Sequence, residues 1–159
     1  MNYNVGDMVT HPLHGAGVIA GFEIQRVDGK KREYYILKLP NGDMRVKIPV
    51  EAADKVGVRP IISADEAERV LCAIPDIEVN MTANWNKRYR ENMEKLRTGN
   101  LIEVASVIKG LLLRDREKGL STGERKMLHS AKQILISEIV LSIQCTYEEV
   151  EQRIEGAMA

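Results

Sequence analysis

The stretch DGKKREYYILKLPNGDMRVKIP, Asp28 to Pro49, decides the fold of the first third of the chain. Asp28-Gly29 and Asn41-Gly42 are the dipeptides that best accept the positive φ angles of tight hairpin turns. Between them the residues alternate: Tyr35, Leu37 and Leu39 fall on one face, Tyr34, Ile36 and Lys38 on the other. After the second turn, Met44, Val46 and Ile48 are expected to point inward, with Arg45 and Lys47 outward. A period of two between hairpin turns means antiparallel strands.

Working outward, DMVTHP and GVIAGFEIQRV supply two strands upstream, and KVGVRPII can close the set downstream. Five short, bent strands in sixty residues suggest a small SH3- or Tudor-like β-barrel over residues 1–60, with Gly15, Gly17 and Gly21 at its bends. GAGVIAG lacks the spacing and the following helix of a dinucleotide loop. His11 and His14 have no third ligand nearby and read as turn residues, so no metal is expected.

From Ser63 the period becomes helical. SADE at 63–66, STGE at 121–124 and TYEE at 146–149 are capping boxes, in which the first side chain serves the amide three residues on. Asn84 and Asn100 can cap two more helices, ending near Gly99 and Gly119. Five helices with identifiable starts predict a compact bundle over 61–159. The expected fold is therefore α+β, in two domains.

The chain has 159 residues, 44% apolar, with one Phe and one Trp, so aliphatic side chains must fill the core. No apolar run approaches the ~20 residues that span a bilayer, and the first residues lack a signal-peptide pattern. A cytoplasmic protein with no membrane partner is expected. Cys72 and Cys145 show no metal-ligand spacing and read as small core residues. No paired carboxylates or nucleophile–base constellation appears, which argues against an enzyme, a cofactor or a small-molecule substrate. The net charge is zero, yet residues 83–132 carry 12 basic against 6 acidic side chains. Such asymmetry points to an anionic partner.

The basic segment opens at the lone tryptophan, in TANWNKRYRENMEKLR, 82–97. At helical spacing Trp85, Tyr89, Met93 and Leu96 form one stripe, which would make the indole a core residue. Against that, Trp85 lies in the first turn, where its ring can overhang the helix end, among Asn84, Asn86, Lys87 and Arg88. A flat apolar group on the rim of a basic surface suits DNA: cations hold phosphates while the ring inserts against bases of an opening duplex. Asn84 and Asn86 can bond base-edge acceptors in a minor groove. Ser121, Thr122, Arg125 and Lys126, at another helix start, form a second phosphate-binding candidate.

NVGDMVTHPLHGAGVI, EYYILKLPNGDMRVKIPV and GVRP, then NWNKRYRENMEKLRTGN and RDREKGLSTGERKMLHSAKQILISEI, resemble the CarD/CdnL family of bacterial transcription regulators over nearly the whole chain. The first module is shared with transcription-repair coupling factors. The resemblance implies an N-terminal Tudor-like domain that pairs an edge strand with the β subunit of RNA polymerase. It also implies a helical domain that meets promoter DNA at the upstream edge of the −10 element. The family's tryptophan wedge matches Trp85, and its phosphate-holding residues match Lys87, Arg88, Arg90, Arg125 and Lys126. Family members often carry arginine where this chain has Gln25 and Lys47; these two, with Arg26 and Val27, are the candidate polymerase contacts. The implied regulator is a non-catalytic monomer that stabilises the open promoter complex. An adaptor that grips only proteins is the alternative.

Overall fold

The computed structural model describes residues 2–40 and 42–158. Five strands, β1 (Met8–His11), β2 (Gly15–Val27), β3 (Lys30–Lys38), β4 (Arg45–Pro49) and β5 (Arg59–Pro60), form one antiparallel sheet in the order β4-β3-β2-β1-β5. Asp28 (φ 52°) and Gly29 (φ 78°) make the expected two-residue turn of positive φ between β2 and β3. Asn41 of the second turn dipeptide lies outside the described residues; its neighbour Gly42 has φ 77°.

The predicted alternation holds along β3 and one residue past its end: Tyr35, Leu37 and Leu39 are buried with Val9, Ile19, Ile48, Tyr3, Ala53 and Val58. Met44 departs from it. It precedes the first residue of β4, so the pleat does not orient it, and it is 58% exposed. The pairing shifts between Ile19 and Gly21, leaving Ala20 as an extra residue that coils the sheet around this core. Gly17 has no room for a side chain: a Cβ there would run into the carbonyl of Lys38.

The sheet is open, where the sequence suggested a closed barrel. Closure would need a long last strand, but Ala53–Val56 forms a one-turn helix, α1, which ends at Gly57 with φ 98°. Among the described residues, only Arg59 and Pro60 then form ladder pairs with the outer side of β1, followed by one bond from the Ile61 amide to the Met8 carbonyl. The edge strands β4 and β5 therefore do not meet.

The five predicted helices follow: α2 (Ala64–Ala73), α3 (Trp85–Arg97), α4 (Leu101–Lys118), α5 (Thr122–Ile143) and α6 (Tyr147–Ala157). Ser63, Asn84, Asn100, Ser121 and Thr146 cap them through their side-chain oxygens, as the sequence pattern required. Leu71, Val104, Ile108, Leu111, Leu135, Ile139, Val150 and Ile154 are central to a second core, separate from that of the sheet. No described helix is long and apolar enough to cross a membrane.

The far half of α5 joins the two cores. The Ala16 amide donates to the buried Ser137 hydroxyl at 2.8 Å. Arg59 forms a fork of 2.8 and 3.0 Å with the buried carboxylate of Glu138, which also accepts from the Ile62 amide at 2.9 Å. Gly15, with φ 94°, lets β2 come close, because a Cβ there would stand 2.5 Å from the Ser137 hydroxyl. Replacing Ser137 with Ala strands the Ala16 amide in a dry contact. Urea unfolding should show a loss of about 1–3 kcal/mol, and an unchanged midpoint would deny this bond a role.

Candidate functional site

The site begins with the cap of α3. Asn84 is extended, and its Oδ1 accepts the Lys87 amide at 3.0 Å, so the helix starts at Trp85 and the indole projects from the first turn. The ring is 41% exposed. It stacks on Tyr89 with centroids 5.0 Å apart and 18° between planes. Its Nε1–H donates to the Ser121 hydroxyl at 3.0 Å, and both rings lie over Gly123, where a Cβ would be 3.6 Å from the indole. Trp85 is thus neither sealed in the core nor loose: one part rests on α5 and the rest faces out.

That contact brings together two clusters 36 residues apart. Ser121 caps α5 by accepting the Glu124 amide at 3.2 Å, so the N-termini of α3 and α5 sit side by side. Lys87, Arg90, Arg125 and Lys126 are exposed on these helix starts. Arg125 has one loose ion pair, 3.7 Å to Asp115. Two adjacent helix N-termini add their partial positive charge to those four cations.

Arg88 belongs elsewhere. The sequence reading placed it on the DNA backbone, but it is 1% exposed and its guanidinium is consumed inside the protein. Its Nε and Nη2 donate to Glu124 at 2.9 and 3.2 Å, and Nη1 donates to the carbonyls of Thr82 and Ala83 at 3.1 and 3.0 Å. The most buried residues of α3 are therefore Arg88, Asn92 and Leu96, with Tyr89 and Met93 of the predicted apolar stripe packed against the core beside them. Glu124 is 2% exposed. Burial pushes its carboxyl up, but the Arg88 hydrogen bonds and charge, the Arg114 charge and the Ser121 hydroxyl together hold it below the usual glutamate range. It is a carboxylate at neutral pH.

Register separates the four candidate polymerase contacts. Gln25 pairs with Arg32, Glu23 with Tyr34, and Ile36 with Lys47, so Gln25, Val27 and Lys47 share one face and Arg26 takes the other. Lys47 Nζ reaches Glu23 at 2.6 Å, and Gln25 Nε2 donates to the same carboxylate at 3.2 Å. This Lys47 hydrogen bond keeps Glu23 below its ordinary range.

The free edge lies on β2 itself. β1 covers β2 only from Gly15 to Val18, and Ile19 bonds to Gly6 and Asp7. Beyond the bulge, among the described residues, Gly21–Val27 has no ladder partner on the side away from β3. Phe22 and Ile24 stand exposed along it, Ile24 at 64%. Sequence reasoning missed these two, although their alternation was legible; it took register to show that, among the described residues, no strand pairs beside them. It missed Tyr89 and Ser121 as supports of the indole, because those contacts cross between helices.

Family models match on both sides of residue 65: the CarD-like/TRCF RID domain over residues 3–62, and the CarD C-terminal domain over residues 69–155. A Bacillus subtilis (strain 168) protein bearing the name "Putative transcription factor YdeB" is 29% identical over 149 residues, covering 94% of this chain and 97% of that one. With the C-terminal model alone spanning more than half of its residues, the chain belongs to the CarD family of transcription regulators.

Proposed function

We propose that this regulator docks on the RNA polymerase β subunit by adding the Gly21–Val27 edge of β2 to a strand of its partner, and wedges Trp85 into the promoter minor groove at the upstream edge of the −10 element. The observation that carries the DNA half is the half-exposed indole at the meeting of two helix N-termini, flanked by four exposed cations. Lys87, Arg90, Arg125 and Lys126 hold phosphates, and Asn84 offers its amide N–H groups to base-edge acceptors. Arg88 holds no phosphate in this arrangement. For the polymerase half, unpaired backbone groups beside exposed Phe22, Ile24 and Val27 are a template for strand addition. Gln25, Arg26 and Lys47 then lie on the two faces flanking the new strand and set its specificity.

Action follows from selective binding. A ring that inserts only where bases have parted favours the opened duplex, so the open complex is stabilised without a chemical step. The protein works as a monomer in the cytoplasm, recruited to promoters through polymerase.

Salt provides a test of the DNA half. Four phosphate contacts require a slope of log K against log salt of about −3.6 for the free protein on duplex DNA. A flat dependence, with polymerase binding intact, would leave only a protein-gripping adaptor.

A further inference from the structure

We propose that Ser121 is a positioning residue that holds the Trp85 ring in its presented orientation, separately from its role in capping α5. The proposal rests on the wedge reading above.

A serine hydroxyl has one proton to donate and two lone pairs to accept with. At Ser121 all three are used: Oγ accepts the Glu124 amide at 3.2 Å and the indole Nε1–H at 3.0 Å, and it donates toward Glu124 Oε1 at 3.4 Å. Glu124 in turn takes two bonds from Arg88, which stands one turn beyond Trp85 on α3. The chain Trp85–Ser121–Glu124–Arg88 thus leaves α3, crosses two residues of α5 and returns to α3. Such a ring of bonds fixes the direction of each member. The hydroxyl cannot rotate without losing Glu124, so its second lone pair stays aimed at the indole.

The remaining contacts of the ring do not set its angle alone. Tyr89 stacks beneath it and Gly123 offers a flat floor, and both surfaces would allow a slide or an in-plane turn. Among the described residues, only the Nε1 bond fixes which edge faces α5 and which edge faces out. A wedge that must enter a narrow groove gains from having that choice made in advance.

Substitution can separate the cap from the hold. Glycine is tolerated at an N-cap but offers no acceptor for the indole, whereas threonine keeps the hydroxyl. Wild type, Ser121→Gly and Ser121→Thr are compared by time-resolved anisotropy of Trp85, the one tryptophan in the chain, and by the lifetime of the open complex formed with RNA polymerase holoenzyme. Ser121→Gly should add a fast nanosecond depolarisation and shorten the lifetime about fivefold, the loss expected of one hydrogen bond; Ser121→Thr should restore both. An indole that depolarises as slowly in Ser121→Gly as in wild type overturns the proposal. So does a loosened ring with an unchanged lifetime where Trp85→Ala shortens it, or a Ser121→Gly protein that fails to fold. If Trp85→Ala leaves the lifetime unaltered, the wedge reading itself fails, and the three anisotropy decays alone still decide whether Ser121 holds the ring.

Discussion

Arg88→Met lowers stability by about 3–5 kcal/mol, the usual consequence of removing one partner from a buried ion pair. Glu124 is left 2% exposed with its two strongest donors gone, and the carbonyls of Thr82 and Ala83 lose theirs. For a chain of this size the melting temperature should fall on the order of 10 °C. Arg88→Met with Glu124→Leu should recover much of the loss, because neither charge of this pair then remains buried. Thermal unfolding of the three variants checks this. An Arg88→Met protein that melts with wild type but binds DNA more weakly would return Arg88 to the phosphate-contact role.

Acidity separates the same proteins further. In wild type the Glu124 carboxyl sits below its unfolded value of about 4.5, so its contribution is complete above that pH and is lost as pH falls through the folded value. In Arg88→Met the Arg88 hydrogen bonds and charge are gone and only the Arg114 charge and the Ser121 hydroxyl still oppose burial, so the carboxyl rises and protonation relieves the variant as pH falls. The stability gap between the two should therefore narrow on acidification. A constant gap would mean that Glu124 is not the charge left stranded.

Local signals carried most of the fold. The cap at each of Ser63, Asn84, Asn100, Ser121 and Thr146 involves residues within a few positions, so short sequence windows contain it. The Asp28-Gly29 turn and the β3 alternation are equally local. Barrel closure was not, because it depended on whether Ala53–Val56 would extend or coil, and both suit the same residues. Arg88 was misplaced for a related reason. The family resemblance set it among the phosphate-holding residues, and its partner Glu124 lies 36 residues away, beyond any periodic pattern. Trp85 was the most legible part of the site, since its polar neighbours and first-turn position already opposed burial. The bond that orients it crosses to another helix and could not be read from spacing.

Trp85→Ala should separate folding from function. The ring is partly exposed, so its removal costs mainly the Tyr89 stack and some contact with α5, about 1–2 kcal/mol. Binding to fully paired DNA should hardly change, because the four exposed cations supply it. The loss falls on the opened promoter, where a base meeting the indole is worth about 1–3 kcal/mol, or roughly five- to 150-fold in lifetime. Trp85→Phe keeps a flat ring but no Nε1–H, and it should fall between the two.

The decisive observable is how long the open complex of RNA polymerase holoenzyme survives a challenge with competitor, with wild-type protein or with folded, polymerase-bound Trp85→Ala. Wild type should prolong it, and the variant should shorten that prolonged lifetime about tenfold while keeping its affinity for paired DNA. Equal lifetimes for the two proteins would contradict the wedge and leave the exposed indole without a role at the promoter.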